Sequence, residues 1–177
     1  MALVQVHQDL IIDTEELRTF IREAKLVTYA SDKENPLVTR QESPLSTIIR
    51  YKRADARSHW SYSDEYKGSY AASGEEVVWF DDIPVWSMAY YGGMISDNWG
   101  SREFAKKTFC FLKEALRHVS EDHPYRGPSL YKGEDPGIFY HNEWKGNITK
   151  FHGKEWIIYR SIIFEQRYIG GLIAHQF

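Results

Sequence analysis

Two short segments of this chain carry matching aromatic and acidic residues, and they are the first candidates for chemistry. Tyr62–Gly68 has the sequence YSDEYKG, and Tyr140–Gly146 has the sequence YHNEWKG. Alternate residues of a strand share a face, so each segment presents two rings beside one polar group. These faces are Tyr62, Asp64 and Tyr66 in the first segment and Tyr140, Asn142 and Trp144 in the second. Such a face suits a ligand pocket. The alternative is that Asp64 and Asn142 bond to the backbone of neighbouring strands.

A second matched pair consists of two glutamates, Glu76 and Glu155. Each lies two positions after a glycine and opens an apolar strand, in GEEVVWF and GKEWIIY. Two carboxylates brought together by symmetry could act as a general acid and a general base. More often such a glutamate caps a turn or pairs with a lysine or arginine. Both residues are therefore candidate ligand contacts, and no catalytic residue is predicted.

A third match adds Tyr90 and Tyr168 to the candidate ligand contacts. These tyrosines begin the segments YYGGMI and YIGGLI, which occupy 90–95 and 168–173. The glycine pairs are expected to end their strands at a bulge or a tight turn with positive φ. Close approach of a ligand to the backbone is the less favoured alternative.

The chain has one dense basic cluster, made of Arg50, Lys52, Arg53 and Arg57. Guanidinium groups bind phosphate through paired hydrogen bonds, so Arg53 is kept as a candidate ligand contact. The alternative is an edge strand that carries charge as protection against aggregation.

Other reactive residue types do not form recognisable sites. The spacing of His141, Glu143 and His152 is too weak a pattern for a metal site, and neither a metal nor a cofactor is predicted. Cys110 lies in the apolar segment FCFL, so it is expected to be a core residue and not a nucleophile. The sequence contains no phosphate-binding loop, dinucleotide fingerprint or serine-hydrolase elbow.

Helix signals occur near the start of the chain and again after residue 100. Asp13 and Glu16 form a potential capping box, and a buried stripe follows at helical spacing. A second helix is expected after Ser101, which can cap it. The two stripes are Leu17, Phe20, Ile21 and Ala24, and then Phe104, Thr108, Phe111, Leu112, Ala115 and Val119.

The remaining segments are predicted as loops and strands. Residues 31–46 and the segment PYRGP at 124–128 are expected to be loops, because both are rich in proline and polar residues. Strands are expected over 48–95, with a hairpin turn at Asp81–Pro84, and again after the second loop.

The matches occur in the same order in both halves of the chain. FIREAK at 20–25 resembles FLKEAL at 111–116, and the strand motifs follow. We therefore predict an α+β fold of two pseudo-symmetric repeats, each a helix followed by about four antiparallel strands. We expect residues 1–177 to form one domain, with the first α-β4 repeat at 13–95 and the second at 101–175.

Composition excludes several classes of protein. The chain is 42% hydrophobic and 27% charged, which suits a globular core, and 15% aromatic, which suits strands and concave binding surfaces. A net charge of −3 argues against general nucleic-acid binding. One cysteine excludes a disulfide framework. No signal peptide or run of ~18 apolar residues is apparent, so a cytoplasmic location away from membranes is predicted.

Taken together, these motifs resemble a bacterial domain family of unknown function. The resemblance extends from Glu16 to Ile173 and includes PVWSM at 84–88, PYRGP and both GG pairs. Members of that family often follow an XRE-type helix-turn-helix domain in transcription regulators, which implies an effector or sensor role. Only about a dozen residues precede the matching region here, so direct DNA binding is not expected. The loop at 31–46 is longer than the family pattern implies.

Three functions are compatible with these observations. The leading hypothesis is a non-enzymatic module that holds a small ligand, with nucleotide-like molecules among the candidates, in an aromatic cleft between the repeats. The second is a protein that binds a protein partner or acts as an inhibitor through an exposed aromatic surface. The third is a hydrolase-type enzyme that uses Glu76 and Glu155, which requires the two carboxylates to lie within ~10 Å of each other.

Overall fold

The computed structural model describes residues 2–7, 10–31, 34–53 and 59–174, and the fold is given for these residues. They form two α-helices and eleven strands, with a 3-10 turn at Ser96–Asn98. In chain order the elements are β1 (Leu3–His7), β2 (Leu10–Asp13), α1 (Thr14–Val27), β3 (Val38–Glu42), β4 (Ser46–Lys52), β5 (Trp60–Gly68), β6 (Ala71–Phe80), β7 (Ile83–Met94), α2 (Arg102–Leu116), β8 (Leu130–Lys132), β9 (Ile138–Asn147), β10 (Lys150–Tyr159) and β11 (Ser161–Leu172).

One large antiparallel sheet contains nine of these strands, in the order β3-β4-β5-β6-β7-β11-β10-β9-β8. Strands β1 and β2 form a separate hairpin, which the sequence did not predict. Strands β7 and β11 pair at the centre of the sheet, where Tyr90 lies opposite Tyr168. The prediction of a mixed α+β domain with a large antiparallel sheet is confirmed.

Helix α1 begins as the sequence predicts, although its cap differs in detail. The Asp13 side chain accepts a hydrogen bond from the backbone N–H of Glu15. Glu16 instead accepts a hydrogen bond from the indole N–H of Trp60 at 2.9 Å, so its carboxylate ties the helix to strand β5. The predicted stripe of Leu17, Phe20, Ile21 and Ala24 is fully buried.

Helix α2 buries most of its predicted stripe, but two expectations about its residues are wrong. Ser101 occupies the cap position without a side-chain hydrogen bond to the helix. Cys110 is exposed, because the helix turns its 111–112 side toward the sheet and carries residue 110 about 100° away from that direction. Phe111 and Leu112 are buried as predicted.

Three predictions about loops and glycines are also corrected. The segment 31–46 contains strand β3, which is a mostly exposed edge strand. Its polar residues lack the apolar alternation from which a strand is predicted. Gly92 and Gly93 do not end their strand, because β7 continues to Met94. Gly170 and Gly171 likewise lie inside β11. A Cβ atom at Gly92 would lie 2.2 Å from the carbonyl oxygen of Glu165, so glycine permits close packing of the central strands.

The turns themselves agree with the sequence more closely. Asp81 and Asp82 have φ values of 49° and 61°, which suits a two-residue hairpin turn between β6 and β7. Gly68 ends β5 with a φ of 112°. Gly146 also has a positive φ, of 95°, but it lies within β9, which continues to Asn147.

The helices cover one face of the sheet in two apolar clusters. Helix α1 packs against Tyr51, Trp60, Tyr62 and Trp86, and α2 packs against Tyr140, Ile157, Ile163 and Phe164. In the described part of the chain, no helix is long and apolar enough to cross a membrane.

Candidate functional site

A tyrosine of the central strand β7 crosses its neighbour to reach an acid two strands away. The hydroxyl of Tyr90 donates a hydrogen bond to Oδ1 of Asp64 at 2.7 Å. Its ring passes over Gly74 on β6, where a Cβ atom would lie 2.4 Å from the ring. Glycine at this position therefore leaves the space that the ring occupies.

The same arrangement occurs on the other side of the sheet centre. The hydroxyl of Tyr168 donates to Oδ1 of Asn142 at 2.7 Å, and the ring passes over Gly153, where a Cβ atom would lie 2.3 Å from it. The Nδ2 group of Asn142 donates to the carbonyl of Gly127 at 2.8 Å. The expectation that Asp64 and Asn142 bond to the backbone of neighbouring strands is wrong, since a tyrosine hydroxyl partners each and the backbone contact comes from a loop.

Glu76 lies between Asp64 and two buried cations. It pairs with Asp64 across β5 and β6 in the strand register. The ammonium of Lys25, at the end of α1, donates to Oε2 of Glu76 at 2.5 Å and to the carbonyl of Tyr125 at 2.6 Å. Nη1 of Arg126 lies 3.7 Å from Oε1 of the same glutamate.

Glu155 is fully buried and accepts hydrogen bonds from three side chains. Nε and Nη2 of Arg126 donate to its Oε1 at 3.0 and 2.7 Å. Gln166 donates to the same oxygen at 3.0 Å, and the hydroxyl of Tyr140 donates to Oε2 at 2.6 Å. One guanidinium thus bridges Glu155 and Glu76, which keeps the two carboxylates within the ~10 Å that paired catalysis requires. The pairing with lysine and arginine is the alternative that the sequence favoured.

The charges of this cluster determine how Asp64 titrates. Burial and the neighbouring Glu76 together raise the pKa of Asp64 to about 7, against the opposing effects of Tyr90, Lys25 and Arg126. Burial lowers the pKa of Lys25, although Glu76 opposes that effect. Two buried cations face two glutamates, and Asp64 is the third acid. Near neutral pH its carboxyl is therefore present both with and without its proton.

A cleft of about 360 Å³ opens beside Asp64, between helix α2 and the sheet. The volume is in the range typical of small-molecule sites. Its walls carry aromatic rings, charged groups and hydroxyls. They include Tyr29, Asp64, Tyr66, Tyr90, Phe109, Lys113 and Arg126.

The structure brings only some of the predicted ligand contacts to this cleft. Asp64, Tyr66 and Tyr90 line it. The other candidates do not line it. Tyr62 and Glu76 lie beside Lys25 near the end of α1. The others belong to the second half of the sheet, except Arg53, and they are Tyr140, Asn142, Trp144, Glu155 and Tyr168.

Arg53 serves a different contact. Its Nε donates to Oε2 of Glu23 at 3.1 Å, and its guanidinium lies 5.3 Å from the centre of the Phe20 ring. Arg57, from the same basic cluster, lies outside the described residues. His141 stacks on Trp156, and the described residues contain no group of three metal-ligating side chains.

The loop of residues 123–127 covers the face that carries Tyr140, Asn142 and Trp144. The ring of His123 lies 4.8 Å from that of Trp144, and Tyr125 stacks on Phe151 with ring centres 3.8 Å apart. The backbone N–H of Gly127 donates to the hydroxyl of Tyr140 at 3.0 Å. Residues 123–127 thus supply two rings and one backbone amide to this face.

Sequence reasoning missed the two cations at the centre of the site. Lys25 lies four residues after the buried Ile21, so helical spacing already placed it on the buried side. Arg126 occurs between the prolines of PYRGP and gave no such signal, because only the fold of the loop directs it inward. Gln166, Tyr29 and Lys113 were missed as well.

The fold and this site define an α+β domain with a buried, tyrosine-bridged charge cluster and an adjoining cleft of about 360 Å³. A family model described as a domain of unknown function, DUF5680, matches residues 64–173. That match covers more than half of the chain, and the protein belongs to this family. No curated protein and no solved structure matches the chain.

Proposed function

We propose that this protein is a non-enzymatic module that binds a small molecule in the cleft between helix α2 and the sheet. The observation that carries the proposal is the cleft itself, where the rings of Tyr66 and Tyr90 flank the carboxyl of Asp64. Rings provide apolar contact area, and a small number of polar groups orient the ligand. Glu76 and Glu155 are engaged by buried cations, which favours a structural role for them.

We also propose that the two halves, 13–95 and 101–175, descend from one duplicated α-β4 unit. Three corresponding contacts support this proposal. Each half has a tyrosine that crosses a glycine, a polar group that accepts from that tyrosine and a glutamate paired with a buried cation. If so, the cleft beside Tyr66 in the first half corresponds to the position beside Trp144 in the second half, which the 123–127 loop fills.

A thermal-shift screen of metabolites and nucleotides tests the cleft as a binding site. We expect at least one compound to raise the melting temperature, because a ligand that binds only the folded state stabilises it. Tyr66→Ala should abolish that shift. The matched control is Trp144→Phe, which changes the covered face and should preserve the shift. A screen without any hit, or hits that survive Tyr66→Ala, would refute the proposal.

The resemblance to regulator-associated domains suggests where such a module acts. We propose that the domain is the effector part of bacterial transcription regulators and that its ligand alters their DNA binding. A gel-shift titration of a regulator that carries both domains, with and without a ligand from the screen, measures this effect. We expect the isolated chain described here to leave DNA unshifted. Equal DNA affinity with and without ligand would refute the regulatory part of the proposal.

One observation favours protein binding as a second candidate. Tyr91 and Ile169 lie near each other on β7 and β11, and 67% and 62% of their surfaces are exposed. Exposed apolar residues at the centre of a sheet suit a partner surface. Sedimentation of the protein across a wide concentration range, compared with Tyr91→Ser, tests self-association through this face. A monomer at every concentration would count against it.

A further inference from the structure

The two tyrosine-bridged groups differ in one chemical respect. Asn142 accepts a hydrogen bond from Tyr168 through its oxygen and donates through Nδ2 to the carbonyl of Gly127. Asp64 accepts from Tyr90, which is its one hydrogen-bond partner among the described residues. Where Asn142 presents a donor, Asp64 presents a second carboxylate oxygen. At Asn142 the position beside the side chain is held by an acceptor, the carbonyl of Gly127. At Asp64 a group in the corresponding position would have to be a hydrogen-bond donor.

The ring platforms differ in what covers them. Trp144 is covered by the imidazole of His123, with ring centres 4.8 Å apart. Tyr66 contacts Tyr29 edge-on at 6.2 Å and lines the open cleft. A planar ring against Tyr66 would take the place that a side chain of the protein takes against Trp144.

The charge of the cluster limits the kind of donor that fits. Arg126 lines the cleft together with Asp64, and Lys25 lies behind them against Glu76. These two cations already neutralise Glu76 and Glu155. Asp64 is then the acid without a paired cation, and an N–H donor compensates its charge through a hydrogen bond. Arg126 in the cleft wall repels an ammonium group, so a neutral N–H group is favoured.

We propose that the cleft selects a neutral, amino-substituted heteroaromatic ring, with the ring against Tyr66 and its exocyclic amino group donating to Asp64. This inference rests on the proposed function and specifies the ligand class. Aminopurine and aminopyrimidine bases have this chemistry, whether free or as part of a nucleoside.

Calorimetric titration with matched ring pairs tests the selection. The probes are adenine and hypoxanthine, which carry an amino and an oxo group at the same ring position, and unsubstituted purine. We expect adenine to bind about 10-fold or more tightly than either of the others, the effect of one hydrogen bond to a charged group. In Asp64→Asn the amide presents a donor, as Asn142 does, so the preference should invert toward hypoxanthine.

Each outcome separates this inference from the proposed function. Equal affinity for adenine and hypoxanthine, or a preference that Asp64→Asn leaves unchanged, would overturn the ligand class. If these rings do not bind while other hits of the screen are lost in Tyr66→Ala, the ligand class fails and the cleft stands. If no compound binds, both fail. Circular dichroism of Asp64→Asn and Tyr66→Ala confirms folding, and Trp144→Phe should retain the wild-type preference.

Discussion

Replacing Asp64 by asparagine should make this protein more stable at alkaline pH, although it removes a buried acid. The Asp64 carboxyl faces Glu76 from β6, Tyr90 from β7, Lys25 from α1 and Arg126 from the loop before β8. Burial and Glu76 raise its pKa to about 7, against an unfolded value of 3.8. The folded state therefore holds this proton more tightly than the unfolded state does.

The sign of the effect follows from that difference. Well below the unfolded pKa of 3.8 both states are protonated and the group has little influence. As the pH rises toward 7, the unfolded chain releases the proton while the folded chain keeps it, so stability is lost. Well above pH 7 both states are ionised and the loss is complete. One pKa unit corresponds to 1.36 kcal/mol, so Asp64 should cost about 3 kcal/mol between pH 5 and pH 8.5.

Urea unfolding of the wild type and Asp64→Asn at several pH values measures this loss. The difference in the free energy of unfolding between Asp64→Asn and the wild type should change by about 3 kcal/mol in favour of the variant between pH 5 and pH 8.5. This change is a large share of a typical domain's stability. Glu75→Gln, an exposed carboxylate on β6 that faces away from the cluster, is the matched control. Parallel stability curves for the wild type and Asp64→Asn across this range would refute the assignment of a raised pKa.

Other substitutions test the remaining parts of the site. Gly74→Ala and Gly153→Ala should each lower the free energy of unfolding by about 1–3 kcal/mol, because a methyl group enters the space of a tyrosine ring; melting temperatures equal to that of the wild type would refute the crossing geometry. Arg126→Met should cost about 3–5 kcal/mol in urea unfolding, because Glu155 loses its buried counter-charge, whereas a loss below about 1 kcal/mol would show that the ion pair adds little. Cys110 should react with a thiol reagent in the folded protein, and modification only after denaturation would contradict its exposure.

Local patterns were enough to predict much of the fold. The stripe of α1 is buried because helical spacing directs Leu17 and Phe20 to the same side. The turn at Asp81 and Asp82 was found because few residue types tolerate positive φ. Strand β3 was missed because its exposed side chains give no apolar alternation. Cys110 was misplaced because an apolar neighbourhood does not specify which side of a helix faces the core.

The site depended on contacts that no local pattern contains. Arg126 meets Glu155 across 29 residues of chain, and Lys25 meets Glu76 across 51. Sequence reasoning found both glutamates as a matched pair and gave cationic partners as the commoner role. It could not name those partners, because the topology of the sheet and the path of one loop bring them together.

The sequence by itself determined which residues share a strand face and that Asp64, Glu76 and Tyr90 have counterparts at Asn142, Glu155 and Tyr168. Alternation and matched spacing depend only on neighbours along the chain, so they are visible without a structure. Only the tertiary structure decided which aromatic face is open. The 123–127 loop packs onto the face that contains Trp144, and a cleft lies at the face that contains Tyr66. This difference depends on contacts between residues that are far apart in the sequence.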